Sequence, residues 1–267
     1  MKKSLLYIIA VVGALTSCAE SYTVQGTSSI AQLDGSKLYL KAIKGGELKN
    51  IDSCDVVHGQ FHFNGLLDTV RMTTLFMDDE GIMPVVLEKG DISIRIDNTS
   101  RRVTGTPLNE ELYDFLNRHD QLDNEMSELS HRHSQMLLEG EDEETINQQL
   151  SVEAARIAQQ EDSLVTNFII DNFDNVLGPG VFMMLTGSYP YPVLTPQIED
   201  IMSKATAKFK NDPYVKEYYQ TANEIQAREN GLVDDDTLPP SPPAQGQQPV
   251  LGQPPLMQQN DSTIIGQ

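Results

Sequence analysis

The order of hydrophobic and polar positions divides the chain into a strand-forming first half and a helix-forming second half. Up to Gly105 the period is two. In residues 37–42, Leu38, Leu40 and Ala42 share one face and Lys37, Tyr39 and Lys41 the other, the pattern of a strand with one dry side. Lys44-Gly45-Gly46-Glu47 predicts a turn. The 51–57 run is expected to fold back on Phe61-His62-Phe63 across His58-Gly59, as a hairpin pairing Val56 with Phe61, Asp55 with His62 and Cys54 with Phe63. That register puts Cys54 on the core face and makes Asp55 and His62 an outward pair. Residues 70–77 and 82–87 continue the meander around the solvated turn Asp78-Asp79-Glu80-Gly81. Pro84 marks an edge strand or a bulge, since it has no N–H for the ladder. Residues 92–96 alternate throughout, and 101–104 form a last short strand.

From Thr106 the period becomes helical. Thr106-Pro107 predicts a helix start, with Glu110 and Glu111 near the positive end of the dipole. Similar punctuation recurs at Thr195-Pro196 and Asp212-Pro213. Apolar residues run from Leu108 to Leu137, Glu139-Gly140 breaks the pattern, and a second set runs from Ile146 to Ile169, so the two helices are expected as an antiparallel pair. Gly178-Pro179-Gly180 reads as a break before a short buried apolar segment, 181–185, closed by Tyr189-Pro190-Tyr191-Pro192. Helices over 196–209 and 213–229 follow. The tail from Gly231 holds half of the chain's 14 prolines and no Lys or Arg, a composition that buries too little surface to fold.

These patterns predict an α+β protein: an antiparallel β-sandwich-like N-terminal domain over 22–105, an α-helical domain over 106–230 and a disordered Pro/Gln-rich C-terminal tail over 231–267. Ahead of them lies a leader. Lys2 and Lys3, the apolar run 5–15 and Leu15-Thr16-Ser17-Cys18 have the layout of a bacterial lipoprotein signal over residues 1–17. Cys18 is then the lipidation site and residues 18–21 a short tether. The apolar run is about half the roughly 20 residues that a spanning helix needs, whereas two or three acyl chains on Cys18 give stable anchoring. The expected location is the cell envelope, lipid-anchored at the outer membrane.

Loss of residues 1–17, with Lys2 and Lys3, moves the formal charge from −20 to −22. So acidic a chain repels nucleic acid and anionic head groups. With Cys18 acylated, Cys54 is left alone, which excludes an internal disulfide and a C-x-x-C redox pair.

The chemistry-bearing residues do not assemble into a signature. The acids at 78–80 lack the alternate spacing of an EF-hand loop. His131 and His133, two apart on a helix, point apart, His119 lies turns away with Asp120 facing elsewhere, and all three read as surface histidines. No catalytic, metal or cofactor-binding residue is assigned, and no cofactor is implied. Tyr189 and Tyr191 are candidates for an aromatic lip on a binding surface.

The order Asp55-Val56-Val57-His58-Gly59-Gln60-Phe61-His62-Phe63-Asn64-Gly65, then Pro84-Val85-Val86-Leu87-Glu88-Lys89-Gly90-Asp91, then Val103-Thr104-Gly105-Thr106-Pro107-Leu108-Asn109 resembles the DUF4369 domain of Bacteroidetes envelope lipoproteins, over roughly 22–116. In that family the domain commonly precedes a thioredoxin-like module with a C-x-x-C centre. This chain has neither the motif nor βαβ patterning after its helices, so oxidoreductase function does not carry over. Four acid-hydroxyl-apolar triplets are similar to those that Bacteroidetes O-glycosylation uses. Those at Thr237 and Ser262, in the tail, are the favoured ones.

The expectation is therefore a non-enzymatic envelope lipoprotein. It would bind or scaffold an unknown envelope protein or small ligand, through the β-domain or its junction with the helices. The alternatives are an accessory to thiol-redox or peroxide defence that relies on a partner's cysteines, and an uncatalogued hydrolase.

Overall fold

The computed structural model describes residues 20–231. The leader, Cys18 and Ala19 of the tether, and all but the first residue of the tail, with Thr237 and Ser262, lie outside the described residues. Eight strands come first: β1 (Glu20–Ser28), β2 (Lys37–Lys44), β3 (Glu47–Asp55), β4 (Gln60–Leu67), β5 (Arg71–Met77), β6 (Glu80–Leu87), β7 (Gly90–Ile96) and β8 (Arg101–Thr104). They form two four-stranded sheets, ordered β4-β1-β7-β8 and β3-β2-β5-β6. Every pairing is antiparallel except β1 with β7, which run parallel with Val24 opposite Ile92, so the first sheet is mixed. The alternation in each strand serves one purpose. Val24, Leu38, Leu40, Leu75, Ile92, Ile94 and Val103 are all buried in one core.

The hairpin expected around His58-Gly59 forms only at its turn and does not extend into the strands. β3 pairs with β2, Cys54 opposite Leu38, and β4 pairs with β1, Phe63 opposite Val24 and His62 opposite Gln25. Only a Val57–Gln60 bridge joins the two runs directly. The chain crosses here from one sheet to the other. Val56 bonds to the backbone of Gly35 and Ser36, while the Phe61 ring fills the slot over Gly26, where any Cβ would overlap it. Asp55 and His62 are both exposed, and His62 meets Asn64 instead. Cys54 still turns toward the core but is only half-buried at its margin.

Six helices follow: α1 (Pro107–Leu138), α2 (Glu143–Asp171), α3 (Leu177–Thr186), α4 (Pro196–Lys204), α5 (Ala207–Lys210) and α6 (Pro213–Glu229). The first two form the expected antiparallel pair. They turn at Gly140, whose φ of 86° suits glycine, and Phe115 stacks on Phe168 across them at 4.2 Å. Two boundaries differ from the sequence reading. Gly178-Pro179-Gly180 begins a helix, because Pro179 sits in the first turn where its missing N–H costs nothing. Both glycines serve close packing: a Cβ on Gly178 would strike the Asn172 carbonyl oxygen, and one on Gly180 would strike Met72 Sδ. The helix expected over 196–209 is cut after Lys204, where Thr206 turns extended and caps α5 by accepting from Phe209 N.

α1 lies along the β6 edge of the second sheet, and α3 approaches its outer face where Gly180 meets Met72. Pro84 does mark an edge strand, and the bare edge of β6 is closed by side chains. Arg101 donates to Ile82 O, Tyr113 to Pro84 O, and Asn109 both accepts from Val86 N and donates to Val86 O. An open edge that would invite another strand is thereby satisfied. The N-terminus of α1 is held by Glu88, whose Oε1 accepts from Leu108 N and Asn109 N. Thr106 stands at the N-cap, its carbonyl oxygen accepting from Glu110 N, but its hydroxyl caps no backbone N–H and accepts from the Asn109 side chain instead. A single hydrophobic core runs from the β-sheets into all six helices, and a second, smaller cluster around Leu129, Ile146, Leu150 and Ile157 holds the far end of the α1–α2 pair.

Candidate functional site

A cleft of about 850 Å³ lies between the outer face of the second sheet and the helices. Its floor comes from β2, β3 and β5. The period of two that sends Leu38, Leu40 and Ala42 inward sends Ile43 and Met72 outward, and Leu48, opposite Ile43, lies on the same face. Its wall is the turn before α3, then α3 and α5, presenting Val176, Met183 and Met184. Methionine and aliphatic side chains give the interior an apolar, adaptable lining.

Cations stand around this lining. Lys41 lies along the sheet with Nζ 4.5 Å from the centre of the Phe76 ring, donating to Asp78 O at 2.9 Å. Arg71 pairs with Asp68, and the guanidinium holds that carboxyl below the usual carboxylate range. Lys208 on α5 donates to the Asp174 carbonyl oxygen. The acids of the cleft are committed elsewhere. Asp212 caps α6 by accepting from Tyr214 N and Val215 N, and Asp174 accepts from the Thr206 hydroxyl. Lys41 also pairs with Asp79 at 3.6 Å, so the arrangement offers an apolar lining whose bordering cations are already engaged, with no nucleophile–base pair.

Cys54 lies off this cleft. Burial pushes its thiol up to about 11, with the nearby Asp52 and Asp55 adding to the rise and Lys37 opposing it, so at neutral pH it is a poor nucleophile. Tyr191 is exposed, while Tyr189 is half-buried against the core. The hydroxyl of Tyr218 clamps the end of that loop, bonded to both N and O of Val193 at 3.1 Å.

The reading of His119 as a surface residue is overturned. It is 2% exposed, with Nδ1 3.4 Å from Asp123 and Nε2 3.3 Å from Glu161 of α2. Asp120 does not face away: His119, Asp120 and Asp123 bring ligand atoms within 4.8 Å of one another, the one such group of three among the described residues. The i,i+4 spacing of His119 and Asp123 was the legible signal for it. Both imidazole nitrogens are already turned to carboxylates, which makes this a buried polar brace between α1 and α2.

Comparison with known families places the β-sheets. Residues 22–112 match the family model "Domain of unknown function (DUF4369)". The match covers nearly all of both sheets and runs into the first turns of α1, so Glu88 and Asn109, which fix that helix to the β6 edge, both lie inside the DUF4369 segment. No curated protein and no solved structure matches the chain. No helix among the described residues is long and apolar enough to cross a membrane.

Proposed function

We propose that this protein is a non-enzymatic envelope lipoprotein, acylated at Cys18, that binds a partner or ligand through the cleft between its DUF4369 segment and its helices. The observation that carries the reading is the character of the cleft: an apolar lining edged by cations, whose ionisable groups are tied to capping and pairing partners. A catalytic pocket would bring together ionisable groups with a reacting atom between them. Here the groups around the lining diverge.

The lipid anchor fits the geometry. β1 begins at Glu20, two residues after Cys18. The same end of the sandwich carries the end of β4, where Leu66 is 77% exposed, and the start of β5, which opens the floor of the cleft. An acyl chain on Cys18 sets this end at the bilayer surface of the outer membrane. The intact mass of the native chain tests the anchor: a start at Cys18 bearing acyl groups is expected, and an unmodified start overturns it.

A photocrosslinking residue at Met183 tests the binding role. In the native host it should give a discrete adduct that the same residue at Val152, exposed on α2, does not give. Equal labelling at both positions overturns the cleft as the contact surface, and turnover by the purified protein that is lost on changing a cleft residue overturns the non-enzymatic reading.

A further inference from the structure

We propose that His119, Asp120 and Asp123 of α1 hold a divalent transition-metal ion of the zinc class, with Glu161 of α2 fixing the imidazole from its far side. The site is separate from the cleft and does not depend on what that surface binds.

The His119 ring has a carboxylate on either side. It is 2% exposed, with Nδ1 3.4 Å from an Asp123 oxygen and Nε2 3.3 Å from a Glu161 oxygen. A neutral imidazole has a single N–H, so it can donate to only one of the two. The other nitrogen then sets its lone pair against a carboxylate oxygen, a repulsion made costly by the burial of the ring. A positive charge between the two atoms resolves it. A charge-assisted N–H···O bond to a carboxylate closes to about 2.7–2.9 Å, whereas two ligands about 2.0–2.1 Å from a tetrahedral ion stand about 3.3–3.4 Å apart. The Nδ1–Asp123 separation matches the ion and not a second proton.

The two sides of the ring differ in what they can hold. Asp120 and Asp123, three apart on α1 and so neighbours on its surface, each bring an oxygen within 4.8 Å of the other and of a ring nitrogen. One nitrogen and two carboxylates thus converge. Asp120 is exposed, which gives an ion an entry path and room for water as a further ligand. On the far side Glu161 alone faces Nε2. That is the place of the carboxylate that takes the second N–H of a metal-bound histidine and fixes its tautomer. With the imidazole neutral, the four groups carry three negative charges, and a dication offsets two of them. Imidazole beside carboxylates suits zinc, whereas calcium and magnesium take oxygen donors. The position gives the ion a structural task. Phe115, one turn before His119, lies 6.2 Å from its ring and belongs to the main core, while Leu122 and Ile157 belong to the second cluster. An ion on His119 ties α1 to α2 where the two apolar clusters part.

The test strips the full chain with a chelator and follows Zn²⁺ by calorimetric titration and thermal melting, at about 0.15 M salt to screen loose attraction to an acidic surface. One Zn²⁺ per chain is expected, and about a hundredfold excess over Kd should raise the melting temperature by about 5–10 °C. Mg²⁺ and Ca²⁺ should not. Asp120→Asn and Asp123→Asn should each weaken zinc binding by at least about tenfold, and Glu161→Gln by about tenfold. Asp120→Asn changes an exposed residue and should leave the metal-free melting temperature as it was, which keeps the test valid if changes nearer the buried ring fold poorly. The pair His131→Gln and His133→Gln should leave zinc binding unchanged. A chain that takes up no stoichiometric zinc, an equal melting shift with Mg²⁺, binding unmoved by Asp120→Asn and Asp123→Asn, or binding lost with His131 and His133 overturns the site.

Discussion

Asn109 on the first turn of α1 and Val86 on edge strand β6 make a two-bond clasp: the amide oxygen accepts from Val86 N at 2.9 Å and the amide nitrogen donates to Val86 O at 2.8 Å. A side chain here does what a neighbouring strand would do. It closes the ladder and fixes where the helical half begins relative to the β-sheets.

Asn109→Ala should therefore destabilise the protein by about 2–4 kcal/mol, because the buried N–H and C=O of Val86 both lose their partner. Asn109→Asp should cost a similar amount, since a carboxylate accepts from Val86 N but cannot donate to Val86 O. Urea denaturation midpoints at constant slope measure both.

Glu88 supplies the cap that Thr106 does not. Glu88→Ala should cost about 1–2 kcal/mol, in the range of a lost N-terminal cap, while Glu88→Gln keeps an acceptor oxygen and should cost less than half as much. Paired thermal melts of the two variants separate them.

The strands and long helices were legible in the sequence because burial imposes periods of two and 3.6, which need only local reading. Which strand neighbours which was not. Alternation sends Val56, Phe61 and Phe63 inward whether they share a hairpin or reach the core from two sheets, and a slot over Gly26 for Phe61 depends on residues far apart in the chain. The clasp was hidden for a similar reason, since an edge strand and a polar residue in a first helical turn leave no periodic mark. The cleft draws on Met72, Met183 and Lys208, which only the packing of α3 and α5 on the second sheet brings together. His119 could have been found from Asp123 four residues on; Glu161, across the helix pair, could not.

The two glycines of α3 should respond differently to alanine. Gly178→Ala meets a rigid backbone carbonyl at Asn172 and should cost about 1–3 kcal/mol, as overpacking does. Gly180→Ala meets only the movable end of Met72. Its stability should change little. The melting temperatures of the two variants distinguish them.

Cys54 sets a pH dependence. Its thiol is pushed up to about 11, chiefly by burial, so the folded state favours the neutral form. That contribution to stability is complete below the ordinary thiol range and is lost as pH rises through about 11. Alkylation by iodoacetamide should be slow at neutral pH and keep accelerating toward pH 11, where an ordinary thiol would already have levelled off. A rate that levels at the ordinary thiol range, or rapid labelling at neutral pH, contradicts the inert reading of this cysteine.

The most direct test of the central claim, that the cleft is where the protein binds, is native mass spectrometry of the full chain drawn gently from its own envelope, beside the Met183→Trp variant. The account predicts a discrete added mass on the native chain that the variant lacks. A native chain that carries nothing, or a variant that carries the same mass, contradicts it.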